Sequence, residues 1–195
     1  MLEKINHLYA ESIQSQISAS KLLPEVIVNA AQTMVDTLLN EKKIIVCGQG
    51  RAYANAQFLV TNLLHKYEIT RPSFPAVLLS LDGVLASAIY ADNSEDNLYL
   101  RQFETLAESG DLLVVFAPCG NENHLFNLMH CANNRELRII VLTGSNNDHV
   151  KGFLTEQDLE ISVPVHKESR ILEQHLFITN SLCELIDYSL FAHNM

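Results

Sequence analysis

The chain has 195 residues, of which 48% are hydrophobic and 18% are charged, and its formal net charge is −10 at pH 7. This length suits one full-sized core, and the composition excludes the charge-rich, core-poor class of disordered proteins. The negative charge disfavours direct binding to nucleic acid, because no cluster of Lys or Arg along the chain offsets it.

The N-terminal stretch predicts two helices. Apolar side chains recur every four residues at Ile5, Tyr9, Ile13 and Ile17, which is typical of an amphipathic helix whose stripe needs a partner. Pro24 then opens a second helix, because proline is tolerated in a first helical turn. We therefore expect residues 1–33 to pack in an oligomer and residues 34–195 to form the remaining domain.

Short apolar runs then alternate with helical stretches near 54–67, 96–108, 122–134 and 148–154. The runs show little polar alternation, which favours parallel strands covered on both faces. This pattern predicts an α/β fold with a doubly wound parallel sheet between two helical layers. The strand candidates are residues 43–47, 76–80, 111–117, 138–144 and 159–164.

The last predicted helix, from Glu168 to about Phe191, carries apolar side chains all round, which indicates burial against other subunits. Leu190 and Phe191 lie near its end, where side chains are usually accessible to solvent. Two interpretations stay open for this pair: an exposed anchor for a partner protein, or part of the contact between subunits.

The remaining markers predict a cytoplasmic protein without a cofactor. The four cysteines show no C-x-x-C spacing, and neither a secretory signal nor an apolar run long enough to span a membrane is present. None of the eight histidines pairs with a carboxylate at the spacing of a helical metal site. Surface or satisfied core positions are the better interpretation for them.

The segment "VCGQGRA" ends the first predicted strand with two glycines one residue apart. Such a turn before a helix allows a phosphate site, although the glycines also suit a plain turn. Cys119 follows the third strand, where a small turn residue is favoured over a nucleophile with His124 as its base. Asp92 is favoured as a cap over a catalytic carboxylate.

Nearly the whole chain resembles the sugar isomerase (SIS) family, through "GQGRAYANAQ", "SAIYAD", "ESGDLLVVFAPCGN", "IIVLTG" and "RILEQHLFITNSLCELID". It is most similar to the phosphoheptose isomerase branch, and within that branch to non-isomerase members that associate with the replication initiator DnaA. The resemblance implies a five-stranded parallel sheet and a homotetramer.

The resemblance also implies that the metal site of the isomerases is lost. Those enzymes place a His and a Glu one turn apart after the first glycine loop, where this chain has Phe58 and Asn62. They place a Gln and a His in the last helix, where this chain has Leu172 and Asn180. Phenyl and aliphatic groups cannot coordinate a divalent cation, and amides are poor substitutes for imidazole and carboxylate. We therefore expect neither a metal nor isomerase activity.

The sugar-phosphate pocket implied by the resemblance is altered as well. Ala52 replaces a phosphate-binding Ser, and "APCGNE" replaces a Ser/Thr-rich turn, so that Glu122 brings negative charge beside the expected phosphate. Arg51 is one charge that could compensate. The vestigial pocket predicted here comprises Gly48, Gly50, Arg51, Ala52, Asp92, Cys119, Gly120, Asn121 and Glu122.

Two functions follow as expectations. The first is a non-enzymatic, tetrameric adaptor that binds DnaA through Leu190 and Phe191 and gathers it at the chromosomal origin without touching DNA or membrane. Multivalency makes this workable, because linked weak sites raise the effective concentration of their partner. The alternative is a phosphoheptose isomerase, or a SIS protein that binds sugar phosphates.

Overall fold

A computed structural model of the protein describes residues 1–80, 83–92, 94, 97–119, 123–145 and 148–191. A short 3₁₀ turn, Gly50–Ala52, joins the first strand to the third helix. The other elements, in chain order, are α1 (Leu2–Leu22), α2 (Pro24–Leu39), β1 (Ile44–Gly48), α3 (Tyr53–Leu64), β2 (Ala76–Leu78), α4 (Gly83–Ala91), α5 (Leu100–Leu106), β3 (Leu112–Ala117), α6 (Asn123–Asn134), β4 (Arg138–Gly144), α7 (Asp148–Lys151), β5 (Leu159–Val163) and α8 (Glu168–Phe191).

The strands form a five-stranded sheet in the order β2-β1-β3-β4-β5, and every pairing is parallel. Val46 of β1, for example, pairs with Leu78 of β2 on one side and Val114 of β3 on the other. The strand order reverses at β1, so the crevice for a ligand lies outside the carboxyl ends of β1 and β3. The predicted α/β sheet is confirmed.

The two faces of the sheet form separate cores because successive strand residues point in opposite directions. In β3, Leu112, Val114 and Phe116 join the cluster formed with α2, α3 and α8. Leu113 and Val115 join the cluster on the other face, formed with α5 and α6. All five side chains are fully buried. The predicted covering of the strands on both faces is therefore correct, and α8 belongs to one face only.

Helix α4 (Gly83–Ala91) was not predicted from the sequence. Among its described residues, only Ile89 is buried, while Val84 and Tyr90 are 87% and 53% exposed. The segment "GVLASAIYA" is apolar all round and therefore offers no contrast between a buried and a solvated face. The following helix also differs from its prediction, since α5 begins only at Leu100.

The predicted stripe on α1 is exposed in the protomer. Ile5, Tyr9, Ile13 and Ile17 keep 45%, 66%, 56% and 43% of their surface. The expected division between residues 33 and 34 falls inside α2, whose buried residues join the core beside α8. A role for residues 1–33 in an oligomer stays a prediction. In the described part of the chain, no helix combines the length and the hydropathy needed to cross a bilayer.

Candidate functional site

The loop after β1 is shaped by its two glycines. A Cβ on Gly48 would lie 2.9 Å from Cα of Tyr53 and 3.0 Å from the carbonyl oxygen of Ala52, so a side chain does not fit there. Gly50 has a φ of +52°, which lies in the left-handed region that glycine adopts most easily. Both glycines are therefore needed to turn the chain into α3, whether or not the loop holds an anion.

Arg51, the cation of this loop, is paired with a carboxylate. Its guanidinium donates to Glu168 at the start of α8, with distances of 3.2 Å from Nε and 2.5 Å from a terminal nitrogen. The Arg51 side chain is 77% exposed and that of Glu168 is 35% exposed. A phosphate at this loop would therefore compete with Glu168 for the Arg51 guanidinium.

Other residues of the predicted pocket offer little phosphate-binding chemistry. Ala52 is fully buried and has no hydroxyl. Asp92 follows the last residue of α4, where its N–H donates to the carbonyl of Ala88 and its own carbonyl accepts from the hydroxyl of Ser94. Cys119 is an exposed thiol after β3. The predicted residues Gly120, Asn121 and Glu122 lie outside the described residues.

The four positions where the resemblance implies metal ligands hold no imidazole or carboxylate in this chain. Phe58 on α3 is 52% exposed, and Asn62, Leu172 and Asn180 are half-buried. Asn62 hydrogen-bonds the thiol of Cys183, whose pKa burial raises to about 12. Throughout the described residues, no three His, Cys, Asp or Glu side chains lie close enough together to hold a metal ion.

His175 is a fully buried polar group of α8. Its ring is fully buried, packs edge-on against Phe116 at 5.9 Å, and places Nε2 3.2 Å from the carbonyl oxygen of Thr143. A carbonyl can only accept, so Nε2 carries the proton and leaves Nδ1 as a buried acceptor without a partner among the described residues. Burial lowers the pKa of His175 from 6.5 to about 4, which keeps the ring neutral near pH 7.

Leu190 and Phe191 are less accessible than the sequence suggested. Both are half-buried, Leu190 packs on the core beside α8, and the Phe191 ring stacks on Phe74 with centroids 6.2 Å apart. The loop before β2 folds back against the last turn of α8 and covers part of the pair. The exposed anchor and the subunit contact both stay predictions. Part of each side chain remains at the surface.

The residue that organises this region, Arg71, was missed from the sequence. It lies between α3 and β2, its side chain is 1% exposed, and its Nε donates to Asp187 of α8 at 2.6 Å. Its guanidinium also lies 4.0 Å from the centroid of the Phe74 ring. The signal that sequence analysis could have used is Asp187 itself, a carboxylate within the apolar stretch of the last helix that needs a buried partner.

A large apolar groove runs between α1, α2 and α8, on the face of the sheet that these helices cover. Its volume is about 910 Å³, and its lining includes Ile17, Val28, Phe177 and Tyr188, all of which are exposed in the protomer. Together with the stripe on α1, this groove forms an extensive apolar surface.

Comparison with known proteins defines the class first. The model of the SIS domain matches residues 8–144, which is most of the chain, and the five-stranded parallel sheet agrees with it. The protein belongs to the SIS domain family.

Individual members of the family are similar to this chain over nearly its whole length. A protein of Enterobacter sp. (strain 638) named DnaA initiator-associating protein DiaA is 41% identical over 99% of this chain and 98% of its own. An uncharacterized protein of Haemophilus influenzae is 53% identical over 98% of both chains. Among solved structures, a phosphoheptose isomerase from Francisella tularensis superposes with a TM-score of 0.91 at 31% identity, covering 95% of this chain and 97% of its own.

Proposed function

We propose that this protein is a non-enzymatic adaptor that binds the replication initiator DnaA and promotes its assembly at the chromosomal origin. The observation that carries this proposal is 41% identity over 99% of the chain to a relative named DnaA initiator-associating protein. Similarity over the full length supports a shared role better than similarity of one segment does. Since initiators act on the chromosome, we place the adaptor in the cytoplasm.

The residues of the ancestral pocket support an adaptor over an isomerase. Phe58 and Leu172 stand where the resemblance implies metal ligands, and neither side chain has a lone pair to donate. Ala52 lacks a phosphate-binding hydroxyl, and Arg51 is paired with Glu168. We therefore propose that the pocket carries out no sugar chemistry.

We propose a homotetramer as the working form. The exposed stripe on α1 and the groove beside α8 would otherwise leave a large apolar surface in water. A symmetric assembly presents several identical docking faces, and several weak sites on one particle raise the effective concentration of bound initiators. With a formal net charge of −10, the adaptor gathers DnaA without binding the DNA itself.

The docking face that we propose includes Leu190 and Phe191. Both side chains remain partly at the surface, and the Phe191 ring stacks on the Phe74 ring. A partly exposed aromatic ring that already packs against another ring suits an interface anchor. Its side chain is restricted before binding, so binding costs little further conformational entropy.

The test is the double variant Leu190→Ala with Phe191→Ala, measured for binding to purified DnaA by surface plasmon resonance. We expect affinity to fall about 30-fold or more, as for the loss of an interface anchor worth about 2 kcal/mol. The mass of the assembly by light scattering should not change. Unaltered DnaA affinity, or dissociation of the assembly, would withdraw the two residues from the docking face.

Phe126→Ala is the matched control for this experiment. Phe126 is also half-buried and stacks on a second ring, Phe153, at 4.5 Å, but it lies on the opposite face of the sheet. Its truncation removes a comparable stacked ring and should leave DnaA affinity unchanged. A loss of affinity in this variant as well would indicate a general effect of destabilisation.

A phosphoheptose isomerase is the second candidate, favoured by the TM-score of 0.91 to an enzyme of that name. An assay with sedoheptulose 7-phosphate and added zinc separates the candidates, and we expect no turnover. Measurable turnover by the purified wild-type protein would overturn the adaptor as the sole function.

A further inference from the structure

The last turn of α8 is tied to the body of the protein through Arg71. Asp187, the acceptor of its Nε, lies one helical turn before Phe191. Arg71 therefore acts on the same turn that presents the proposed docking pair. We propose that Arg71 is a positioning residue that holds Phe191, and with it Leu190, in a fixed orientation for docking. The docking part of this inference rests on the proposed function.

The guanidinium joins three separate segments. Its Nε bonds Asp187 on α8, one terminal nitrogen donates to the carbonyl of Asn62 at 2.8 Å, and the other donates to the carbonyl of Leu63 at 3.1 Å. Asn62 and Leu63 belong to the last turn of α3, whose carbonyls lack partners within the helix. The second terminal nitrogen also donates to the carbonyl of Pro72 in the loop before β2. Arg71 thus fixes α8 relative to α3 and to this loop.

A second path from Arg71 to Phe191 runs through an aromatic ring. The guanidinium carbon lies 4.0 Å from the centroid of Phe74, and Phe74 stacks on Phe191 with an interplanar angle of 18°. The Phe74 ring therefore lies between the Arg71 guanidinium and the Phe191 ring and contacts both of them. The ion pair holds the backbone of the turn and the stack holds its side chain, which together define the orientation of Phe191.

Lysine cannot replace arginine in this arrangement. Its ammonium is a compact charge with three donors, whereas the planar guanidinium reaches Asp187, two helix-end carbonyls and the face of Phe74 at once. Arg71→Lys keeps the positive charge beside Asp187 and removes the fork and the stacking plane. This variant therefore tests geometry with little change in charge.

The absence of tryptophan from the sequence makes a local reporter possible. Phe191→Trp places a single indole at the docking position, and acrylamide quenching well below the melting temperature measures its access to solvent. In this background, we expect Arg71→Lys to raise the quenching constant about twofold, because the indole loses its supporting ring and turn. In the natural chain, Arg71→Lys should weaken DnaA binding about tenfold.

Arg135→Lys is the matched control. Arg135 also donates to helix-end carbonyls, those of Glu104 and Ala107, but it lies away from α8. A purely structural role for Arg71 would lower the melting temperature without changing quenching at low temperature. The control should leave both the quenching of the indole in the Phe191→Trp background and the DnaA affinity unchanged.

The outcomes separate the inference from the proposed function. Raised quenching with unaltered DnaA binding would support positioning by Arg71 and overturn docking through Phe191. Unaltered quenching would overturn positioning, whatever happens to binding. Should Arg71→Lys fail to fold, Phe74→Leu interrupts the second path while keeping an apolar side chain, and it must raise the quenching constant for the inference to stand.

Discussion

Two of the ion pairs that join helix α8 to the rest of the chain, one near its start and one near its end, differ in access to water. At its start, Arg51 and Glu168 are 77% and 35% exposed, whereas near its end Arg71 and Asp187 are 1% and 5% exposed. Water can solvate either partner of the first pair when the other is removed, whereas the second pair is almost completely buried. Loss of one partner should therefore cost more stability at the end of α8 than at its start.

This difference agrees with the functions proposed for the two ends. The start of α8 borders a pocket for which we propose no sugar chemistry, so we expect that a contact there can vary with little effect. The end of α8 presents the proposed docking pair, and its orientation depends on a buried contact. Four expected effects on stability concern α8 and the loops that contact it, from the largest to the smallest, and the first and last of them test the two ion pairs.

Asp187→Ala should lower the free energy of unfolding by about 3–5 kcal/mol, because it leaves the Arg71 guanidinium buried without a counter-charge. Urea denaturation at neutral pH measures the change. A loss below about 1 kcal/mol would mean that water reaches Arg71, and the contrast between the two ends would disappear.

The second expected effect is a loss of stability in acid caused by His175. The pKa of His175 is about 4 in the folded protein and 6.5 when the ring is solvated, so below pH 6.5 the unfolded chain binds the proton first. Its contribution is complete above pH 6.5 and is lost as the pH falls towards 4, by about 3 kcal/mol. Denaturation at several pH values should show this slope.

His175→Gln should flatten that part of the pH profile, since glutamine binds no proton. His65→Gln, at an exposed position on the C-terminal side of α3, is the matched control and should leave the slope in place. Equal slopes in both variants and the natural chain would assign the acid sensitivity to other groups.

The third effect concerns the close packing of α8 on the sheet near the pocket. A Cβ at position 144 would overlap Ile171 and lie 2.9 Å from the carbonyl oxygen of Pro118, so Gly144→Ala should cost about 1–3 kcal/mol. Gly50→Ala meets none of the described residues within 4 Å, and its cost of about 1 kcal/mol comes from the positive φ alone. Thermal melts of both variants test the order, and the reverse order would contradict it.

Glu168→Ala should have the smallest effect, below about 1 kcal/mol, because both partners of this pair reach water. Adding salt should reduce even this difference, since exposed charges are screened. A loss as large as that of Asp187→Ala would show that the start of α8 depends on Arg51 after all.

Much of the fold could be predicted because its signals are local. Uninterrupted apolar runs located every strand of the described sheet, and β2 alone ends well before its predicted limit, at Leu78 and not at Ser80. Helix α4 was not predicted because nearly all of its residues are apolar, which leaves little helical periodicity in the sequence. The resemblance of motifs supplied the family, which the match over residues 8–144 bears out.

The candidate site was less predictable because its contacts are distant in sequence. Arg71 and Asp187 are separated by 116 positions, and no spacing rule links a loop arginine to a carboxylate on the last helix. The burial of Phe191 depends on Phe74, which is equally remote. A residue such as Phe58, at a position where the resemblance implies a metal ligand, can be recognised from a sequence motif. A buried contact between residues distant in sequence can be recognised only from the three-dimensional structure.

The place of α8 in the chain also bears on synthesis by the ribosome. It supplies Ile171, Ile178, Leu182 and Ile186 to one core, yet it follows every strand of the sheet in sequence. Synthesis proceeds at about 5–20 residues per second, so α2 and α3 alone cover that face of the sheet until α8 leaves the exit tunnel. Chaperones that shield apolar surface would then protect this interval, and a ribosomal pause just before α8 would lengthen it.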